Sequence, residues 1–393
     1  MSMGAIDPYS FAASRFPTDT RDAIRKFWMH FAANAEGLDR CFSSNMTEKT
    51  VDPTVVMAAL KDVSPELMWE FGPSDRGHAL TITAEWNDSN RALARAVHDM
   101  APDLSRWQFH QVRGPESDSS ITVDYFAQRF GEPLTLTKIE AICGETGRVN
   151  LIAHGPDNEQ ALADQALKVA SAILGEAVER DWIGYIDGAP TAKTGLFGRL
   201  RGQSPAPFEP ATFADGFRAA IARLKSALPA RPYAGTPLDD REVTLFKAKA
   251  AYPEHPRADL ITFAAASEAY GRAVLSGGRF SSRCHSIHDE WFLYLRIQRT
   301  EDAPFDDVSE RGVIEERLHQ ALSQDGLGGV VAAGHGSEAV YIDLDVSDAA
   351  RAVAQIGQVL QGEPYVGEAT LHFLDQGLQS LVLPAAPDSL KPN

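Results

Sequence analysis

The densest group of side chains that could do chemistry lies at residues 284–290, which read Cys-His-Ser-Ile-His-Asp-Glu. Thiolate, imidazole and carboxylate groups are the ligands that zinc prefers, and Cys284 and His288 are spaced so that a turn could bring both to one ion. A closed site needs more ligands, and His335 is the distal candidate. Because zinc signatures usually come in closely spaced pairs and no second pair is present, a polar loop is the alternative interpretation.

Two further motifs each resemble a known catalytic signature but depart from it. Residues 188–194 (GAPTAKT) lack the second glycine of a phosphate-binding P-loop, and their lysine comes one residue early. Asp343 and Asp345 resemble the acid pair of phosphate-transferring aspartate enzymes, but their spacing predicts the polar face of a strand. The G-x-S-x-G and H-E-x-x-H signatures are absent from the sequence. We therefore assign no catalytic residue and predict no cofactor.

Charge and composition narrow the classes of partner. The chain has 54 acidic and 37 basic residues, a formal net charge of −17. Because phosphate neutralisation needs clustered Lys and Arg, neither nucleic acid nor an anionic membrane is a predicted partner. The N-terminus lacks the pattern of a secretory signal, and no apolar run is long enough to span a bilayer. Cys41, Cys143 and Cys284 are far apart, which favours a reducing cytoplasm over a disulfide framework.

The elements that would position these side chains are clearest in residues 289–375. Alternating apolar residues predict a first strand at Trp291–Ile297, and a helix with an apolar stripe is predicted from about residue 309. Two strands, a second helix and a last strand follow. The order β-α-β-β-α-β is that of a ferredoxin-like unit, an antiparallel sheet backed by two helices.

The first half of the chain is predicted to hold a second α+β unit. Its first helix buries Ile24, Phe27, Trp28 and Phe31 on one stripe. Further on, strands are predicted at 80–85, 107–113, 120–127, 134–142, 148–154 and 178–186. This order fits a ferredoxin-like unit with an inserted hairpin.

The segment between the two halves predicts a linker. Residues 188–210 are rich in Gly, Pro, Ser and Ala. We therefore predict an α+β protein with one domain at 1–187 and another at 211–393, each containing a ferredoxin-like unit.

Three segments of the first domain resemble a pattern found in bacterial proteins that carry a domain of unknown function. They are Phe27-Trp28 with Phe31, LTITAEWN at 80–87 and APDLSRW at 101–107. The resemblance covers about residues 20–187 and consists mostly of core anchors. It implies a bacterial accessory or regulatory protein, and it carries over no catalytic residue.

The leading functional hypothesis is a cytoplasmic, non-enzymatic binding or regulatory module that presents a sheet face or an inter-domain cleft to another protein. One alternative is a metal-dependent enzyme that uses residues 284–290. Another is an immunity-type protein whose negative charge speeds association with a toxin. The partner, any ligand, the oligomeric state and the structure of residues 230–288 are left open.

Overall fold

The computed structural model describes residues 5–44, 46–47, 51–116, 123–191, 208–238, 241–247, 255–299, 308–361, 363 and 369–383. The helices are α1 (Pro8–Ser14), α2 (Thr18–Ser43), α3 (Pro53–Met57), α4 (Arg91–Asp99), α5 (Val123–Phe130), α6 (Glu159–Leu174), α7 (Glu176–Trp182), α8 (Pro210–Ser226), α9 (Glu268–Ser276), α10 (Val308–Gln324) and α11 (Ala349–Gln361). The strands are β1 (Met68–Ser74), β2 (Gly77–Thr83), β3 (Trp107–His110), β4 (Lys138–Cys143), β5 (Val149–Gly155), β6 (Ile183–Pro190), β7 (Thr244–Lys247), β8 (Leu260–Ala265), β9 (Trp291–Gln298), β10 (Gly328–Gly336), β11 (Ala339–Val346), β12 (Ala369–Phe373) and β13 (Leu381–Leu383).

The largest sheet has the strand order β13-β12-β9-β11-β10-β8-β7, and all neighbouring strands in it are antiparallel. Residues 289–375 supply β9, α10, β10, β11, α11 and β12, in that order. One face of this sheet packs on α10 and α11, where Leu293 and Leu295 share a core with Leu318 and Ile356. The prediction of a mixed fold with sheets backed by helices is therefore confirmed.

The opposite face of the same sheet is also buried, which corrects the prediction for Asp343 and Asp345. Both side chains have no exposed surface. The face that was expected to be polar is covered by the segment 255–290, and Phe292 and Tyr270 lie together in a second core there. Alternation shows which residues share a face of a strand, but it does not show whether another segment covers that face.

The strands of the first half are divided between two smaller sheets, β1-β2-β3 and β4-β5-β6. Each contains one antiparallel and one parallel pair. The single ferredoxin-like sheet predicted for this half is therefore not what its described residues form. Each sheet has its own helices: Phe27 and Phe31 of α2 pack near Trp107, while α6 packs over β5.

Two of the predicted strands are partly or wholly helical. The segment predicted as a strand at 120–127 enters α5 at Val123, with residues 117–122 outside the described part. The strand predicted at 178–186 begins only at Ile183, after α7. In α5 the helix brings the rings of Phe126 and Phe130 to 4.7 Å of each other. This i, i+4 contact outweighs the strand preference of the aromatic residues.

The predicted linker lies largely outside the described residues, which stop at Thr191 and resume at Phe208. The division into domains at 1–187 and 211–393 stays a prediction. Side chains from both sides nevertheless share cores, since Phe217 of α8 packs with Leu151 of β5 and Phe11 of α1 packs with the large sheet. Of the helices described, none is both long and apolar enough to cross a bilayer.

The start of α6 provides a first stability prediction. The Oδ1 atom of Asn158 accepts a hydrogen bond from the backbone N–H of Ala161 at 3.0 Å and so caps the helix. Asn158→Ala is expected to lower the free energy of unfolding by about 1 kcal/mol, because that N–H loses its partner. Urea denaturation followed by circular dichroism measures the change. Asn34→Ala, within α2, is the control, and equal effects of the two substitutions would refute the capping role.

Candidate functional site

The three predicted metal ligands have different neighbours. Cys284 is buried, and its Sγ donates to the carbonyl oxygen of Asp181 at 3.1 Å. The Nε2 of His288 lies 3.1 Å from the carbonyl oxygen of Pro229. His335 lies on β10, where its Nε2 is 3.4 Å from a guanidinium nitrogen of Arg299.

The surroundings of Cys284 are those of a buried thiol. Burial raises its pKa to about 12, and the Sγ donates to the carbonyl oxygen of Asp181. His285 is buried and stacked on Phe280 with ring centroids 4.7 Å apart, and burial lowers its pKa to about 3. Among the residues that the structure describes, no group of three or more His, Cys, Asp and Glu side chains could hold a metal ion. The metal hypothesis therefore depends on the sequence alone and stays a prediction.

A cavity of about 200 Å³ lies where α1, α4, α7 and the start of β9 meet. We call it the arginine cavity, because four arginines line it together with two aromatic side chains. These six residues are Tyr9, Arg91, Arg95, Arg180, Arg283 and Trp291.

Local sequence positions most of these groups. Asp7 caps α1 by accepting hydrogen bonds from the N–H groups of Tyr9 at 2.9 Å and Ser10 at 3.0 Å, which places Tyr9 in the first turn. Arg91 and Arg95 are four residues apart on α4 and so lie on the same side of that helix. The opposite wall comes from much later in the chain, where β9 begins at Trp291.

The aromatic rings and two of the guanidinium groups form one continuous row. The guanidinium carbon of Arg91 lies 4.1 Å from the ring centroid of Tyr9. Tyr9 meets Trp291 edge to face at 5.9 Å, and Arg283 lies 4.7 Å over the Trp291 ring. Stacking uses the flat face of a guanidinium and leaves its N–H groups available for hydrogen bonds in the plane.

Two of the arginines are committed to carboxylates. The Nε of Arg95 donates to Asp99 at 2.9 Å, and its other end is 3.4 Å from Asp7. Arg283 pairs with Asp289. Arg95 and Arg283 therefore line the cavity, but their carboxylate partners neutralise part of the positive charge that a ligand would meet.

Arg91 and Arg180 are placed differently, because they are nearly buried and lack close acceptors. Their side chains are 13% and 10% exposed. The carboxylate oxygens paired with them are 4.0 Å away for Arg91, in Asp88, and 3.5 and 3.7 Å away for Arg180, in Asp181 and Glu176. Charge-assisted hydrogen bonds measure about 2.7–2.9 Å. In the described part of the chain, the buried Nε of Arg180 has no hydrogen-bond partner at all.

Two of the carboxylates that line the cavity are already used as acceptors. One oxygen of Glu176 accepts from the hydroxyl of Thr83, and the other accepts from the backbone N–H of Arg113 at 2.9 Å. Both oxygens of Asp7 accept hydrogen bonds within α1. Asp181 also lines the cavity, and the buried Oδ1 of Asp88 beside Arg91 has no hydrogen-bond partner among the described residues. The four arginines in the lining outnumber its three carboxylates, and this balance suits an anion.

Comparisons with known proteins do not add an activity. No family model, curated protein or solved structure matches this chain. The resemblance of residues 20–187 to a bacterial domain of unknown function stays a prediction. Function must therefore be inferred from the geometry of the cavity.

The sequence did not point to the arginine cavity. Tyr9 and Trp291 lie near opposite ends of the chain, so no local spacing links them. The nearest local signal is the pair Arg91 and Arg95, whose spacing of four residues places both on one side of a helix such as α4. Such pairs are common on exposed helices and do not by themselves indicate a site.

Proposed function

We propose that this protein is a non-enzymatic binding or regulatory module that recognises a small anionic group in the arginine cavity. The observation that supports the proposal is the placement of Arg91 and Arg180, two nearly buried guanidinium groups whose paired carboxylate oxygens are 3.5–4.0 Å away, with the Nε of Arg180 lacking a hydrogen-bond partner among the described residues. Buried donors normally have partners, and a site that lacks them in the free protein is suited to a ligand that supplies them.

The chemistry of guanidinium defines the class of ligand. Its paired N–H groups match carboxylate and phosphate oxygens. A volume of about 200 Å³ admits inorganic phosphate, a short carboxylate or the acidic tip of a protein partner. The rings of Tyr9 and Trp291 exclude water from one side, which strengthens the attraction between charges.

The wider predictions are consistent with this function and remain proposals. The side-by-side strands β12-β9-β11-β10, with α10 and α11 on one face, support a ferredoxin-like unit that β13 extends at one edge and β8 and β7 at the other. A cytoplasmic location, a protein partner, the metal-dependent enzyme and the immunity-type protein all stay predictions.

The test is calorimetric titration with inorganic phosphate, malonate and succinate at constant ionic strength. Wild-type protein is expected to bind at least one of them saturably. Arg91→Gln and Arg180→Gln are each expected to weaken that binding about ten-fold or more, because each removes a charge-assisted pair of hydrogen bonds. Arg180→Lys keeps the charge but not the planar fork, so its affinity should be intermediate.

The matched control is Arg25→Gln, since Arg25 is exposed on α2 and pairs only across one helical turn with Asp22. Circular dichroism establishes that each variant is folded. The proposal fails if no anion binds saturably to the wild type. It also fails if the Arg91 and Arg180 variants bind as tightly as the Arg25 variant.

A further inference from the structure

We infer a second, independent ligand site that takes an organic anion with an aromatic ring, of the aromatic carboxylate or sulfonate class. The site is a cavity of about 590 Å³ between the β2–α4 corner, the end of α5 and one side of α6. We call it the Trp86 pocket, and it is larger than the arginine cavity. The residues that argue for it are Glu85, Trp86, Arg113, Arg129, Phe130 and Lys168.

The position of Trp86 is the first observation. Its side chain is 53% exposed at the pocket, although a tryptophan gains more than most residues from burial. The preceding residue, Glu85, has a φ of +44°, a left-handed conformation that is unfavourable for a residue with a β-carbon.

Specific contacts hold this strained corner in place. The backbone N–H of Glu85 donates to the Thr83 hydroxyl at 3.0 Å, and its carboxylate accepts from Arg113 at 2.8 Å. The surrounding structure thus maintains a conformation that keeps Trp86 at the surface. Strain that is held in this way is typical of ligand sites and argues for a function of the exposed ring.

Phe130 is a second aromatic side chain in the lining, and two cations lie near its ring. The guanidinium of Arg129 is 5.8 Å and the ammonium of Lys168 is 5.7 Å from the Phe130 centroid. A flat ring bound in the pocket would gain contact with the exposed ring of Trp86. This explains the preference for an aromatic ligand.

The charge of the ligand follows from which cation is available. Arg113 is held at 2.9 Å by Glu70 as well as by Glu85, and Lys168 is held at 2.5 Å by Glu132. Arg129 interacts with the Tyr125 side chain, but its nearest carboxylate oxygens are 3.4 Å away in Glu116 and 3.9 Å away in Glu70, and its side chain is 37% exposed. One guanidinium without a close carboxylate, in a pocket with two aromatic side chains, matches a single carboxylate or sulfonate better than a polyphosphate.

The probe for this site is 8-anilinonaphthalene-1-sulfonate, an aromatic sulfonate whose fluorescence rises in an apolar pocket. Wild-type protein is expected to bind it saturably at one site. Trp86→Ala and Arg129→Gln should each weaken binding about five-fold or more, while Trp86→Phe should keep most of the affinity because a ring remains. Benzoate should compete with the probe.

Two controls make the result decisive. Tyr185→Ala removes an aromatic side chain that is 54% exposed on β6, and it should leave the titration unchanged. Arg25→Gln, at an exposed arginine on α2, should also leave it unchanged. Probe binding that is absent in the wild type, or equal in the Trp86, Arg129 and Tyr185 variants, would overturn the inference. Near-UV circular dichroism establishes that each variant has native packing.

Discussion

Replacing Arg257 with methionine is expected to lower the free energy of unfolding by about 3–5 kcal/mol. The Arg257 side chain is 1% exposed, and its two terminal nitrogens donate to the two carboxylate oxygens of Asp343 at 2.8 and 2.9 Å. Methionine fills much of the same volume, but it leaves the Asp343 carboxylate buried without a counter-charge. Urea denaturation at neutral pH measures the loss.

The surroundings of this pair explain why its loss is costly. Tyr270 donates its hydroxyl to Asp343 at 2.7 Å, and the Arg257 guanidinium lies 3.9 Å over the Tyr294 ring. Burial opposes the charge of Arg257, but the Asp343 carboxylate outweighs burial and holds the pKa of the guanidinium above its usual range. The arginine is therefore charged at neutral pH, where stability is measured.

A double variant separates the loss of the pair from the loss of volume. Arg257→Met combined with Asp343→Leu removes both charges and is expected to recover most of the lost stability, because an apolar pair needs no counter-charge. Arg272→Met, at an exposed ion pair with Glu268 on α9, should unfold close to the wild-type midpoint. A small effect of the Arg257 variant, or a double variant no more stable than the single one, would contradict this explanation.

The second large effect concerns Asp345, whose replacement by asparagine is expected to stabilise the protein at pH 8 by about 1–3 kcal/mol. Burial, followed by the neighbouring Glu290 carboxyl, raises the pKa of Asp345 well above its usual range. Arg241 is the nearby cation, but its N–H groups donate to the backbone carbonyls of Tyr233, Thr236 and Val330. An asparagine amide can donate to Glu290 without taking up a proton.

The direction of the pH dependence follows from the raised pKa. Asp345 titrates near its ordinary pKa of about 3.9 in the unfolded chain and at a higher pH in the folded protein. Its stabilising contribution is complete below the unfolded pKa and is lost as the pH rises through the folded pKa. Wild-type stability should therefore fall between pH 5 and pH 8 more steeply than that of Asp345→Asn.

Other buried acids contribute equally to the pH dependence of stability in the wild type and in Asp345→Asn. Burial raises the pKa of Asp375 to about 6 and that of Glu179 to about 7, so each adds a slope of the same sign. The informative quantity is the difference between wild type and variant at each pH. Asp215→Asn, at an exposed position on α8, should show no pH-dependent difference in stability from the wild type. If Asp345→Asn lowers stability at every pH and keeps the wild-type slope, the proposed cost of the buried Asp345 carboxylate is wrong.

Local patterns identified the parts of the fold in which neighbouring residues determine the structure. The stripe of Phe27 and Phe31 predicted α2, and alternation from Trp291 to Ile297 predicted β9, because both periods are properties of a single element. The same reasoning failed in α5, where the i, i+4 contact of Phe126 with Phe130 stabilises a helix against the strand preference of aromatic residues.

Strand pairing and contacts between distant residues could not be predicted from local sequence patterns. The pairing of β4, β5 and β6 apart from β1, β2 and β3 depends on which edges meet, and a strand pattern carries no record of its partner. The same applies to Cys284 and His335, whose types suit a metal but whose neighbours in the structure are a carbonyl oxygen and a guanidinium.

The acidic charge and the order of strands and helices in residues 289–375 follow from the amino-acid sequence alone. The three-dimensional structure was needed to show that the segment 255–290 buries Asp343 with Arg257, and that Tyr9 meets Trp291 beside Arg91 and Arg180. Propensity and periodicity act over a few residues, so they specify an element and its faces. The packing of the whole chain determines which faces of helices and strands contact each other. The Arg257–Asp343 ion pair and both candidate sites lie where elements that are distant in the sequence come into contact.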